Sequence, residues 1–478
     1  MQTICAIATP AGGALGIIRI SGEDAIAATS SIFRPKGSTP LENKPGGTLT
    51  FGQIIDPTNG ETVDEVLVSL FRGPHSYTGE DSTEISCHGS AYILSRVMQL
   101  LLAAGCRMAR PGEYTERAFL NGKMDLSQAE AVADLIASTT AANHRMAMQQ
   151  MKGGFSRELR ELRDQLLHIT SLLELELDFS DHEDLEFASR HELLTLAQRI
   201  HSHIQALCRS FRLGNALKRG IPVAIVGETN AGKSTLLNAL VGEDRALVSD
   251  VKGTTRDTIE ETVTLGDTLV RFIDTAGIRD TSDSVERMGI DRTFAKIAEA
   301  DIVVWLIDLT DARQQFETLA PRLLPECEGK RMVVILNKLD LTDEATRGAM
   351  QTYVTERLAS LLPQEPVEVL ALSAHSASCV EQLEQLLSHS LESMKHEAGQ
   401  SADLSAASTI VSNLRHYEAL AAALTAIDRV IDGLHAGLSG DFISQDLREC
   451  IYHLSDIAGE VTTDDVLGNI FKHFCVGK

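Results

Sequence analysis

The chain is short of positive charge. Its 43 lysines and arginines face 67 aspartates and glutamates, a formal net charge of −24. That balance disfavours broad, non-specific binding to a phosphate backbone. It leaves room for a local basic patch, or for nucleic acid held mainly by a partner protein. Long apolar runs are missing as well. No stretch approaches the roughly 18 apolar residues that a membrane helix needs, so no membrane span is expected. The start, Met1-Gln2-Thr3-Ile4-Cys5, lacks the basic region that opens a secretory signal. Eight cysteines are scattered without a Cys-x-x-Cys pair, the pattern of reduced thiols in a cytoplasmic protein. Aromatics are sparse at 4%, while the apolar content of 43% is that of an ordinary globular chain.

What is present divides into segments. At 478 residues the chain exceeds one ordinary core, and two to four domains are expected. Residues 1–122 read as mixed α/β. Leu15–Ile20 and Val63–Phe71 are β-rich runs, and Thr48–Ile55 alternates before the turn cluster Asp56-Pro57-Thr58-Asn59-Gly60. Thr83–His88 is a further strand, and Ala91–Ala104 reads as a helix stopped by Gly105. From Leu126 the texture turns helical. Leu126–Met151, Glu158–Phe179 and His191–Leu213 carry apolar residues at i, i+3, i+4 spacing. The acidic cluster Glu174–Glu186 follows no metal-ligand spacing and reads as a solvated helix end and loop. Residues 221–385 alternate short strands (Val223–Val226, Leu269–Ile273, Ile302–Ile307, Met332–Leu336, Val367–Leu372) with helical stretches, a doubly wound α/β pattern. After Gln385 the chain is helical again.

The α/β segment carries ordered nucleotide motifs. Gly227-Glu228-Thr229-Asn230-Ala231-Gly232-Lys233-Ser234 fits G-x-x-x-x-G-K-[ST], between a strand and a helix that continues through Thr235. Backbone N–H groups there cradle phosphates, Lys233 supplies a point charge, and the Ser234 hydroxyl suits Mg²⁺. Asp274-Thr275-Ala276-Gly277 ends the second strand, with a carboxylate for a Mg²⁺-bound water and a glycine N–H for the γ-phosphate. Asn337-Lys338-Leu339-Asp340 ends the fourth. A carboxylate at Asp340 accepts from N1–H and the exocyclic amine of guanine, donors that adenine lacks. Ser373-Ala374 offers a backbone N–H to the guanine oxygen. GTP is therefore the expected nucleotide. Gly253-Thr254-Thr255-Arg256-Asp257 lies where a nucleotide-sensing loop sits. A water-orienting glutamine after the second motif is absent: Ile278 stands there. Asn230 offers an oxygen that could hold a monovalent cation, which would act electrostatically as an arginine finger does. Glu286 is a candidate for orienting water through a second water, although its position alone favours an ordinary surface helix carboxylate.

At this point the whole chain resembles the MnmE (TrmE) family of tRNA-modification GTPases. The resemblance rests on Gly16-Ile17-Ile18-Arg19-Ile20-Ser21-Gly22, Tyr77-Thr78-Gly79-Glu80-Asp81 and Arg110–Asn121. It extends to Lys123-Met124-Asp125-Leu126 and the terminal Cys475-Val476-Gly477-Lys478. It implies an α/β plus all-α multidomain fold. An N-terminal dimerisation and folate-binding domain (1–122) precedes a helical domain (123–218 and 386–478) split by an inserted Ras-like P-loop GTPase domain (219–385). It puts Arg19, Glu84, Lys123 and Lys478 on folate contacts, and Asn230 with the backbone of Ser249, Val251 and Thr254 on a K⁺ site. Ser234 and Thr255 fall on Mg²⁺ ligands, and Glu286 on the catalytic glutamate, beside Asn230 and Lys233. Asp250, Lys252 and Gly253 join the GTP contacts. The implied activity is potassium-activated GTP hydrolysis coupled to modification at C5 of wobble uridine 34 of tRNA. The one-carbon unit would come from 5-formyl-tetrahydrofolate or a related folate. The implied partners are a second copy in a homodimer, tRNA, and a flavoprotein, MnmG, in a heterotetrameric or larger complex.

The competing reading is a regulatory or ribosome-assembly GTPase without modification chemistry. Such a switch needs neither the N-terminal third nor the terminal Cys-x-Gly-Lys. Cys475 has the spacing of a prenylation box, but Gly477 is not aliphatic and Lys478 is an unusual last residue. His473 and Cys475 lack further metal ligands nearby. Cys475 is carried as a candidate functional thiol without an assigned chemistry.

Overall fold

The computed structural model describes residues 1–178, 189–228, 230–245, 260–265, 268–273, 297–362, 367–401, 410–460, 467, 470–472, 474 and 477. By its internal contacts the chain divides into two units. Unit 1 is Met1–Ala137, Ala147–Ile200 and Ala422–Lys478, and unit 2 is Ser138–Met146 and His201–Ala421.

Unit 1 is built on a seven-stranded sheet of β1 (Ile4–Ile7), β2 (Leu15–Ser21), β3 (Phe33–Pro35), β4 (Thr48–Ile55), β5 (Thr62–Phe71), β6 (Ser82–His88) and β7 (Arg107–Met108), in the order β3-β4-β5-β6-β2-β1-β7. Neighbours run antiparallel except β1 and β7. The alternating segment Thr48–Ile55 and the β-rich run read at Val63–Phe71, a strand from Thr62, close as a hairpin. Asp56 Oδ1 accepts the Thr58 N–H (2.9 Å) and hydroxyl (2.6 Å), and Gly60 takes φ +76°. One face packs Ile18, Ile20, Val66, Val68, Leu70 and Ile85 against α1 (Ala25–Ile32) and α2 (Ala91–Ala103), which bury Ile26, Leu94, Val97 and Leu101. Each such side chain contributes about 1.5–3 kcal/mol. The other face presents Arg19 and Glu84.

The short strands β1 and β7 and the helices α1 and α3 (Glu113–Leu120) escape the sequence reading. Before α3 the Glu113 carboxylate accepts the Arg110 N–H at 2.9 Å across Gly112 at φ +69°, which fixes the turn leading into the helix. Leu126–Met151, read as one helical stretch, divides into α4 (Leu126–Ala137) and α5 (Ala141–Met151). The cause is local: Thr140 Oγ1 accepts the Asn143 N–H at 3.2 Å, an N-cap that opens a new helix. α6 (Gly154–Asp178) and α7 (Arg190–Arg219) follow, the latter contributing to both units.

Unit 2 is a mixed six-stranded sheet, β13-β12-β11-β8-β10-β9. Its strands are β8 (Ile221–Val226), β9 (Glu260–Leu265), β10 (Thr268–Ile273), β11 (Ile302–Asp308), β12 (Arg331–Asn337) and β13 (Glu368–Ala371). All pairs are parallel except the edge pair β9–β10, and β9 was not anticipated. Helices cover both faces. α8 (Lys233–Arg245) and α11 (Ala377–Ser401) pack over Val223, Ile225 and Val304, while α9 (Ala312–Leu323) and α10 (Glu344–Leu361) pack over Ala224, Trp305 and Val334. The near-continuous apolar runs of β11 and β12 follow from burial on both faces. α12 (Leu414–Ala436) leads back into unit 1, where α13 (Gly440–Ala458) packs against α6 and pairs Arg448 with Glu174.

Candidate functional site

In unit 2 the parallel strands β8, β11 and β12 end on one edge of the sheet, and their loops converge there. Between β8 and α8 the chain makes a tight loop that only its own glycines allow. A Cβ on Gly227 would lie 2.3 Å from the Leu306 carbonyl oxygen, and one on Gly232 2.3 Å from Asn337 Nδ2, with Gly232 at φ +100°. Asn230 takes φ +65°, which asparagine tolerates better than most residues. Lys233 donates its ammonium to the Gly227 (2.6 Å) and Glu228 (2.8 Å) carbonyls, so its charge lies over the loop. Ser234 and Thr235 follow in the first turn of α8, where free N–H groups and the helix dipole favour an anion.

The Asn337 side chain joins the other loops to this one. It is 3% exposed; Nδ2 donates to the Ala231 carbonyl (2.8 Å) and Oδ1 accepts the Ala374 N–H (3.0 Å). One amide therefore ties the phosphate-type loop, the end of β12 and the loop after β13. Lys338 follows at φ +67°. Asp340 is exposed, and the Ser373 hydroxyl hydrogen-bonded to it holds its carboxyl below the usual range, so it stays an anion. The structure thus brings together Asn230, Ala231, Gly232, Lys233, Ser234, Asn337, Lys338, Asp340, Ser373 and Ala374. Ser249, Asp250, Val251, Lys252, Gly253, Thr254, Thr255, Asp274, Thr275, Ala276, Gly277 and Glu286 lie outside the described residues.

A second charged cluster sits on the open face of the sheet in unit 1. Arg19 and Glu84 are opposite each other in the β2–β6 register, Nε to Oε1 2.7 Å, both about one-quarter exposed. The Arg19 guanidinium lies 5.9 Å from the centroid of the Tyr77 ring, and its Nη1 reaches the Gly477 carbonyl at 3.5 Å. Lys123 donates to the Pro74 carbonyl at 2.7 Å, on the loop that carries Tyr77. That loop is fixed from behind by α3. Arg117, 1% exposed, bonds Glu80 and Glu113; Thr115 Oγ1 meets the Tyr77 hydroxyl at 2.9 Å; Asn121 donates to the Thr78 carbonyl at 2.7 Å. Arg19, Glu84 and Lys123 therefore share one surface with an aromatic ring. Lys478 and Cys475 lie outside the described residues, though Gly477 shows that the terminus comes to this face.

Sequence reasoning passed over Asp308, which ends β11 and holds Lys338, and the ring of Tyr77 as a partner of Arg19. The signal for Asp308 was a lone carboxylate closing the run Ile302–Ile307. For Tyr77 no spacing gives it, because the approach depends on how α3 fixes the loop. Among the described residues no cluster of three or more metal-type side chains occurs, and no helix is long and apolar enough to cross a membrane.

Residues 3–123 match the family described as the N-terminus of GTP-binding protein TrmE, and residues 126–475 match the MnmE helical domain. The tRNA modification GTPase MnmE of Bacteroides thetaiotaomicron is 57% identical over 480 residues, covering 100% of this chain and 99% of that protein. The protein of the same name from Parabacteroides distasonis is 55% identical, with 100% of both chains covered. That from Christiangramia forsetii is 49% identical over 486 residues, covering 100% of this chain and 99% of its own.

Proposed function

The chain belongs to the MnmE (TrmE) family of tRNA modification GTPases, and on that premise we propose that its two charged clusters serve one reaction. The protein is a GTP hydrolase acting in tRNA modification. GTP binds in unit 2 and a one-carbon folate in unit 1, and the product is tRNA modified at C5 of wobble uridine 34.

The observation that carries the nucleotide half is the Asn337 amide, which spans Ala231 and Ala374. It fixes the distance between the loop that suits phosphates and the carboxylate of Asp340, which suits the N1–H and exocyclic amine of guanine. A site built to meet donors on the base leaves its carboxylate without them when adenine is bound, which favours guanine. Lys233 serves the β/γ-phosphates; phosphate oxygens are stronger acceptors than the carbonyls it meets here. Ser234, exposed at the second position of α8, is open to a metal ion, and with Thr255 it would hold the Mg²⁺ that neutralises charge on the phosphates. Asn230 is exposed in a left-handed turn, free to turn its amide oxygen to K⁺ with the backbone of Ser249, Val251 and Thr254. Glu286 orients the attacking water in place of the glutamine that Ile278 replaces.

Support for the folate half is the cluster of Arg19, Glu84, Lys123 and Tyr77. A guanidinium suits the carboxylates of such a ligand, Glu84 its amino and amide donors, and the ring its flat heterocycle. Lys478 completes the set. The family reading extends to the domain limits 1–122, 123–218, 219–385 and 386–478, to a homodimer, to a flavoprotein partner of the MnmG type, and to the cytoplasm.

The test is mass analysis of wobble uridines in tRNA from cells lacking the protein. Loss of the C5 substituent, restored by the wild-type gene, is expected. Unchanged uridine would point to a GTPase without modification chemistry.

A further inference from the structure

Asp308 is the last residue of β11, in register with Asn337, the last residue of β12. It is 8% exposed, and both carboxylate oxygens are engaged. Oδ1 accepts the Thr310 N–H at 3.0 Å and the Thr310 hydroxyl at 2.7 Å. Oδ2 accepts the Lys338 ammonium at 2.5 Å. The Asp308 N–H donates to Gln315 Oε1 at 2.9 Å, and Gln315 is itself 7% exposed. Burial works against the charge on Asp308, but Lys338 and Thr310 outweigh it and hold the carboxyl below its usual range. The residue is a fixed anion at the edge of the sheet.

What it fixes is strained. Among the described residues only Asn230 and Lys338 adopt positive φ without being glycine. Asparagine can bond its own backbone in that region, whereas lysine gains nothing locally. Such a conformation persists only where its surroundings over-determine it. Lys338 stands between Asn337 and the 3₁₀ turn Leu339–Leu341, which carries Asp340. Its backbone twist therefore sets where the Asp340 carboxylate lies relative to the Asn337 amide.

We infer that Asp308 is a positioning residue for guanine-nucleotide binding: its carboxylate pins the Lys338 ammonium and so holds the turn Asn337–Asp340 in its left-handed form before nucleotide arrives. The inference rests on the base-reading role proposed above for that turn. Pre-organisation of this kind acts on affinity, chiefly through dissociation. The hydrogen bonds given for Asp308 run to Thr310, Gln315 and Lys338, so its expected effect is on nucleotide binding and not on the chemical step.

The experiment uses the full-length protein. Asp308→Asn keeps an acceptor for Thr310 and removes the charge that meets Lys338. Displacement of a fluorescent GDP should be about tenfold faster than for the wild type, with kcat at saturating GTP within about twofold and KM raised. Asp308→Glu, which keeps the charge, should recover most of the loss. Lys338→Gly takes the left-handed conformation without strain, so adding Asp308→Asn to it should change dissociation by less than about twofold. Wild-type dissociation from Asp308→Asn, or full additivity in the double variant, would overturn the inference. Should Asp308→Asn alone fail to fold by circular dichroism, the comparison of Lys338→Gly with its double variant decides the matter. Asp340→Asn is assayed in parallel for xanthine-nucleotide binding. If its base preference does not move, the base-reading role itself fails. If it moves while Asp308→Asn is silent, only the positioning role fails.

Discussion

At the scale of single residues, the nucleotide site is held by a few side chains whose neighbours leave them no alternative. Asp340→Asn should move base preference from guanine toward xanthine by roughly 100-fold, measured by competition between GTP and XTP. Retained GTP preference would count against base reading by that carboxylate. The Ser373 hydroxyl lowers the Asp340 pKa, so the anion proposed to read the base persists as the pH falls. Ser373→Ala should let that pKa rise, and GTP affinity should then fade at a higher pH than in the wild type. An unshifted pH profile would show that Ser373 does not stabilise the anion. Glu286→Ala should slow hydrolysis roughly 100-fold while GTP binding stays near wild type, checked by single-turnover and binding assays. The motifs made Asn230, Lys233, Asn337 and Asp340 legible, because their chemistry depends on residue type and order. Asp308 was not legible: its partner, Lys338, is 30 positions away, and only the register of β11 with β12 makes them neighbours.

At the scale of elements, α3 shows how a short helix can organise a site that it does not itself form. Glu113, with its side chain 3% exposed, is paired with Arg107, Arg110 and Arg117, and Arg117 in turn holds Glu80 on the Tyr77 loop. Burial alone would raise the Glu113 pKa, but hydrogen bonds from Arg107, the Arg110 N–H and Arg117 bring it to about 2. The folded pKa is below the unfolded one, so the stabilisation is complete above the ordinary glutamate range and is lost as the pH falls toward 2. A shift of this size corresponds to about 3 kcal/mol. Glu113→Gln should cost unit 1 about that much at neutral pH, seen by urea unfolding, and the deficit should shrink as the pH drops below about 4. A pH-independent deficit would mean packing, not charge, is what Glu113 supplies. The long alternating strands β4 and β5 and the helices α2, α6 and α7 could be read from periodicity. β1, β7 and α3 could not, since elements of two to eight residues carry too little pattern, and β9 becomes a strand only through its pairing with β10.

At the scale of the whole molecule, an acidic chain is proposed to work on a polyanion. With a net charge of −24, its tRNA contacts must be local or shared with a partner. GTP turnover should be much faster in potassium than in sodium at equal ionic strength; equal rates would remove the cation role given to Asn230. The motif-bearing α/β segment lies within unit 2, whereas the change of texture after Leu126 falls inside unit 1 and marks no boundary between the units. The handover inside α7, between Ile200 and His201, was not legible, because a continuous helix carries the same periodicity on both sides of the boundary.

The pairing of Arg19 with Glu84 has one more consequence, for how unit 1 reaches its fold. Both residues alternate with fully buried neighbours, Ile18 and Ile20 on β2 and Thr83 and Ile85 on β6. A slip of one residue between these strands would turn one of them over: either Arg19 enters the apolar interior and Ile18 and Ile20 are exposed, or Glu84 enters it and Ile85 is exposed. The residues proposed to greet a ligand thus also act during folding as a proofreading device, penalising the misaligned sheet before any ligand is met.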